Sequence, residues 1–451
     1  MGDNLDLVVK GGLVVNGSGM ARVDLGVRGG QVAEIAPDLG ARRAERVIDA
    51  TGKFVLPGAI DVHSHPVYLD DMGGMSVTGA HGGVTTLIHY AYAKPGMKLI
   101  DTLNKFRDDG LAGSVLDFAL HGGLFDVEHQ LAEVPAAFKM GVTSFKVFMT
   151  YAKLKWMSDD YWLTALLDVV GHERGLVAVH AENGLATDYL EDKFLREGRS
   201  PVETFTAMRP DLLEAEAINR AMSLAHVMGC PLYVPHVSAG ACLEPLRRAK
   251  ANGWRVYGET CAQYLTLTEE ATFTLGALAK VGPPLRTKAD NEALWQGLAD
   301  GTLMTLASDH APKPKKVSDD FFQAAYGSPQ IETMLPVVYD AGVNGGRISL
   351  PRFVQVTSEN PAKLFGLYPR KGTLQVGSDA DLLIWDPARR YTISAANQHS
   401  GAGYTLYEGR QVTGAPVLVM QRGETIVEDG RLVAKPGRGR FLRTDTSHLY
   451  A

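Results

Sequence analysis

A chain of 451 residues, 45% hydrophobic and 21% charged, has the composition of an ordinary globular protein and can bury a large barrel beside a smaller second domain. A net charge of −6 with neutral histidines, and no long basic run, argue against nucleic acid or an anionic membrane as a partner. No apolar run approaches the roughly 20 residues that span a bilayer, and "MGDNLDLVVKGG" lacks the basic and then apolar pattern of a secretory leader. Three cysteines, Cys230, Cys242 and Cys261, show no paired metal-ligand spacing. So sparse and odd a set predicts reduced thiols and a cytoplasmic location.

The chain opens on short β segments, "DLVVKGGLVV" and "VDLGVRGGQVAEIA", broken by Gly-Gly turns. Near the other end "DADLLIWDP" and "PVLVMQRGETIVEDGRLV" repeat the style with Arg-Gly and Asp-Gly turns. This predicts a β-sandwich assembled from residues 1–55 and 366–451, flanking a central insertion over 56–365. The basic stretch "KPGRGRFLR" reads as a solvated or subunit-packing tail.

The insertion has another rhythm. Strand-length apolar runs recur in the order "FVLPGAIDVHSH", "GVTTLIHY", "LDFALHGG", "SFKVFMTY", "GLVAVHAENG", "PLYVPHVSAG", "WRVYGETCAQY" and "LMTLASDHAP". Between them lie helical patterns such as "DLLEAEAINRAMSLAHVM", apolar at three- and four-residue spacing. Strands buried on both faces and alternating with helices predict a parallel sheet, and eight repeats predict its closure into a (β/α)8 barrel.

Polar residues gather at the C-terminal ends of these runs, where such barrels build their active sites. His63 and His65 end the first run, Lys146 lies in the fourth, His180 ends the fifth, His236 the sixth and Asp309 the eighth. Two histidines at i and i+2 on a strand point the same way, so one rigid element offers two metal ligands. Each histidine alone could be a satisfied core residue, but one metal site accounts for all of them together. Asp309 follows an apolar run, where a carboxylate is costly unless it meets a cation. Burial favours the neutral form of Lys146. A neutral amine can capture CO2 as a carbamate, whose two oxygens can bridge two divalent ions held roughly 3.5–4 Å apart. With nitrogen and oxygen ligands and no thiolate, zinc is the default metal, with manganese, cobalt or iron as alternatives. His89, His121 and Glu259 end the second, third and seventh runs and read as structural or as partners of the ligands, and His310 should point away from the site.

"GAIDVHSHP", "SFKVFMTY", "VHAENG", "VPHVSAG", "GETCAQYL" and "ASDHAP" together resemble the motif series of the cyclic amidohydrolases. These are the hydantoinases, dihydropyrimidinases, allantoinases and dihydroorotases of the amidohydrolase superfamily. "MRPDLLEAEAINRA" and "NPAKLFGLYPRKGTLQVGSDADLLIWD" extend the likeness to nearly the full length. The resemblance implies that Lys146 is an N6-carboxylysine bridging two metals, that His63, His65 and Asp309 bind one, and that His180 and His236 bind the other. It also implies that Tyr151 donates to the developing oxyanion, that Asp309 moves the proton, and that the protein is a homodimer or homotetramer.

For the substrate, the resemblance implies a small cyclic amide opened by hydrolysis. Val67 stands where dihydroorotases carry an arginine for a carboxylate. Gly282 in "VGPPLR" replaces the serine of the "SPP" motif, which leaves only a backbone contact to the ring. Tyr68, Leu69, Met72, Tyr90, Tyr92, Leu154, Trp156 and Met157 form an expected apolar collar, suited to a bulky 5-substituent. The favoured reading is a hydantoinase-like opening of a 5-substituted hydantoin, or a related cyclic ureide or imide, to the N-carbamoyl amino acid. A dihydropyrimidinase or an allantoinase is the alternative. More remote are a non-catalytic dihydropyrimidinase-related scaffold, against which all six ligands stand, and another hydrolase on the same metals, such as an isoaspartyl dipeptidase or a phosphotriesterase-like enzyme.

Overall fold

The structure, a computed structural model, describes residues 4–451. Eight strands form one parallel sheet in chain order: Ala59–Ser64, Val84–Ala93, Asp117–Leu124, Ser144–Phe148, Leu176–His180, Leu232–Val234, Val256–Cys261 and Leu303–Ala307. The last meets the first through a parallel bridge between Ser64 and His310. Asp61 ties the same seam by accepting from the amide and the hydroxyl of Ser308, at 2.9 and 2.6 Å. The barrel that the strand rhythm predicts is therefore present. Helices rich in apolar faces, such as Asp211–Val227, cover its outside, which is why the strands carry apolar residues on both faces.

Two further sheets lie outside the barrel: one of four strands, all within Leu5–Asp49, and one of seven strands that draws on both chain ends. Leu7, Val9, Leu25 and Val27 from one pack with Val14, Val55, Leu382, Ile384 and Met420 from the other. The run "FVLPGAIDVHSH" is not one strand, as its unbroken apolarity suggests. Phe54–Pro57 belongs to the seven-stranded sheet, and the barrel starts at Ala59. Pro57 cannot donate to a ladder, and a Cβ on Gly58 would collide with Thr85. The strand therefore changes sheets there.

The two parts are joined by a buried charge cluster. Lys371 Nζ lies 2.7 Å from Asp117 of the barrel and 2.7 Å from Asp381 of the sandwich edge. Arg422 also pairs with Asp117. The basic tail runs across the base of its own barrel: the Phe118 amide donates to the Arg440 carbonyl, and the Leu442 amide donates to that of Phe118. Leu442 adds to the cluster that plugs this end with Ile60, Val62 and Tyr233. The opposite, C-terminal end stays open. No described helix is long and apolar enough to cross a membrane.

Candidate active site

A cavity of about 380 Å³ opens at the C-terminal end of the strands. Its floor is made of His63, His65, Lys146, His180, His236 and Asp309, so all six sequence-predicted residues meet. The rings of His180 and His236 lie 4.4 Å apart between centroids, those of His63 and His236 5.3 Å, and those of His63 and His65 5.1 Å. Asp309 lies 3.2 Å from His63 Nε2 and 2.9 Å from His65 Nε2. The ligand atoms of His63, His65 and Asp309 all lie within 4.8 Å of one another, close enough to share one ion. Burial, above all, holds the four imidazoles below their usual pKa and so leaves them neutral, with a lone pair to offer.

Lys146 is the centre of the arrangement. It sits mid-strand, paired in register with Gly123 and Ala178, and is 1% exposed. Phe145 and Val147 face the helices, so the alternation of the strand turns Lys146 inward. Among the described residues its Nζ has no hydrogen-bond partner, and it lies 5.2 and 5.5 Å from the ring centroids of Tyr90 and Phe148. Burial pushes it down to about 7, against the opposing pull of Glu259 and Asp309. His65 Nδ1 is a second buried nitrogen without a partner. An orphaned amine among four neutral imidazoles and a carboxylate is a donor set that fits divalent metal ions, once the amine is converted to an anionic ligand.

The floor is held from beneath. Glu259 accepts from His63 Nδ1 at 2.7 Å, from the Tyr233 hydroxyl at 2.6 Å and from the His236 amide at 2.9 Å. It thereby fixes one imidazole and the backbone of another. His180 Nε2 meets Glu182 at 2.7 Å, and Glu182 is paired with the buried Arg209 at 2.9 Å. Such partners orient metal-binding imidazoles, and their loss typically lowers metal affinity about 10- to 100-fold. Glu259→Gln is expected to do so, measured as the metal dissociation constant of the folded variant. His89 and His121 bond Ser64 and Ser144, below the site. His310 faces away, with Nε2 2.8 Å from Asp70.

Three non-glycine residues at the site have positive φ: Tyr151 (65°), His236 (45°) and Asp309 (50°). Strain of this kind persists where the surroundings hold a side chain in place for function. Tyr151 leans over the floor, its ring 5.2 Å from that of His180, with the Arg209 guanidinium 5.3 Å from the ring. Burial holds its phenol well above the usual pKa, so it keeps its proton and can donate. A Cβ on Gly282 would lie 2.6 Å from the Tyr151 hydroxyl, so the glycine makes room for it.

Of the expected collar, Tyr68, Tyr92, Leu154 and Trp156 line the cavity. Leu69 does not: it is 40% exposed outside the rim, its amide bonded to the Pro312 carbonyl. Met72 points into the core beside Phe118 and Gly110. Tyr90 packs beneath the His63 and His65 rings, and Met157 bridges the backbone of Phe148. Sequence reasoning missed Phe125, Phe148, Lys280, Lys313 and the 322–327 segment, all of which line the cavity.

A second cluster, His81, Glu332 and His399, lies elsewhere. The two rings stack at 3.4 Å and His399 Nδ1 is 2.8 Å from Glu332. The carboxylate raises the pKa of His399, and burial lowers that of His81 to about 4. An ion pair under a neutral ring accounts for it.

A profile of the amidohydrolase family matches residues 54–426. The chain belongs to the amidohydrolase family. This amidohydrolase is 39% identical to the D-hydantoinase of Ralstonia pickettii, over 97% of this chain and 99% of that one. Among solved structures, the dihydropyrimidinase of Brevibacillus agri superposes with a TM-score of 0.92 at 36% identity, covering 97% of this chain and 98% of that one. The L-hydantoinase (dihydropyrimidinase) of Arthrobacter aurescens gives 0.91 at 35% identity, covering 97% and 99%.

Proposed function

We propose that this amidohydrolase opens a cyclic amide by hydrolysis, in hydantoinase fashion, converting a 5-substituted hydantoin or related ring to its N-carbamoyl amino acid. The observation that carries this reading is the unpartnered, buried Lys146 amine at the centre of four neutral imidazoles and Asp309. Its lowered pKa makes the neutral amine available to CO2 near neutral pH. As a carbamate, Lys146 would bridge two divalent ions, zinc by default. His63, His65 and Asp309 would hold one ion, and His180 and His236 the other. Bound there, the pair supplies a nucleophilic hydroxide near neutral pH and polarises the ring carbonyl.

The remaining work falls to the chain. Tyr151 donates a hydrogen bond to the carbonyl oxygen as negative charge develops on it. Asp309 takes the proton released by the attacking water and delivers it to the leaving ring nitrogen. The backbone at Gly282 positions the ring amide, and Tyr68, Tyr92 and Trp156 receive the substituent. A dihydropyrimidine is the second substrate class, since a dihydropyrimidinase is among the relatives of matching fold. An assembly of two or four copies in the cytoplasm, with the sandwich built from residues 1–55 and 366–451 around a barrel over 56–365, completes the reading.

The test is product analysis on 5-phenylhydantoin, 5-methylhydantoin, dihydrouracil, allantoin and dihydroorotate with zinc-loaded protein. The expected result is one product per ring, with a hydantoin or dihydrouracil turned over fastest. Loaded protein that opens none of the rings, or that releases two products from a linear amide or ester instead, overturns the reading.

A further inference from the structure

The wall of the cavity carries two lysines to which the hydrolytic step gives no role. Lys280, which is 5% exposed, and Lys313, which is half-buried, both line it. Among the described residues neither has a carboxylate within ion-pair distance, and Asp309 on the floor is the one acidic residue lining the cavity. Lys280 Nζ donates to the Phe322 carbonyl at 2.8 Å and lies 4.6 Å from the Tyr326 ring centroid. Lys313 Nζ lies over the Tyr68 ring. An ammonium has three donors, so each retains hydrogen-bonding capacity toward the cavity. Lys315 lies behind them, buried, with its Nζ spent on the Leu278 and Lys280 carbonyls. Burial lowers Lys280 to about 8, against the pull of Glu191 and Asp320 from beyond ion-pair distance, and lowers Lys313 to about 7.

An apolar ring substituent in this cavity would take the remaining water from Lys313 and give neither lysine a partner. An anion would supply the missing partner. We propose that the preferred ring bears an acidic group on its 5-substituent, received by Lys280 and Lys313 above the aromatic wall. The proposal rests on the ring-opening reading and names its substrate class: hydantoins whose opened products are N-carbamoyl derivatives of acidic amino acids. Tyr68, Tyr92 and Trp156 then pack the methylene stem, and the charge lies at the lysines.

The test compares 5-(2-carboxyethyl)hydantoin with its primary amide, two rings of the same length that differ in charge, with 5-phenylhydantoin as the reference for ring opening. In the zinc-loaded protein kcat/KM for the acid should exceed that for the amide by about 10- to 100-fold, the range of a charge-assisted contact. Lys280→Gln and Lys313→Gln should each shrink that ratio, which is unaffected by the fraction of folded protein. Lys313→Glu should shift preference toward 5-(4-aminobutyl)hydantoin. A ratio near one while 5-phenylhydantoin is opened overturns the proposal and leaves ring opening standing. A large ratio that survives all three substitutions overturns the assignment to these lysines. Failure to open any of the rings overturns the ring-opening reading, and the proposal with it.

Discussion

Lys146→Ala is expected to lose bound metal and ring-opening activity together, with metal content falling from two ions per subunit to one or none. Nζ has no hydrogen-bond partner among the described residues, and burial lowers the pKa of the amine to about 7. A buried polar group left in this state is destabilising unless it serves a purpose. Lys146→Met separates the two effects. Methionine fills a similar volume without the amine, and replacing an unpartnered buried polar group by an apolar group of like shape is commonly neutral or stabilising. The metal-free Met variant should therefore melt at or above the metal-free parent, yet gain no stability on adding zinc, whereas the parent gains it by mass action. Metal analysis and thermal melts on both variants check this. Two ions retained in either variant would remove the bridging role.

Tyr151→Phe should lower kcat by about 100- to 1000-fold with little change in KM, the usual consequence of deleting one donor to a developing oxyanion. Tyr151 is held at φ 65°, beside His180 and against Gly282, in a place where its protonated phenol faces the cavity. The hydroxyl is not needed for packing, because the ring contacts with Phe148 and Trp156 remain in the variant. Steady-state kinetics with unchanged metal content is the check. An equal loss in kcat/KM carried wholly by KM would make Tyr151 a residue that binds the ground state and would contradict the assigned role.

The floor of the cavity was legible in the sequence because the barrel makes it so. Once apolar runs of strand length alternate with helical patterns, the end of each run has a known location, and polar residues there must converge. His180, His236 and Asp309 are far apart in the chain yet meet for that reason alone. The wall was much less legible. Lys280 and Lys313 lie in segments without periodicity, where neighbours in sequence do not predict neighbours in space. Leu69 illustrates the converse: it directly follows Tyr68, which lines the cavity, yet it lies outside the rim. The Arg209–Glu182 pair that steadies His180 joins side chains 27 residues apart, and no local pattern announces it. The change of sheet at Pro57 and Gly58 was hidden because two apolar strands, joined end to end, read as one.

Hydrolysis of 5-phenylhydantoin by one preparation in three states tests the metal-dependent mechanism: stripped of metal, reloaded with zinc in bicarbonate, and reloaded with zinc in CO2-free buffer. No turnover is expected in the first, full turnover with two ions bound in the second, and slow or partial recovery in the third. Turnover by the stripped protein, or none by protein holding two ions, would contradict it.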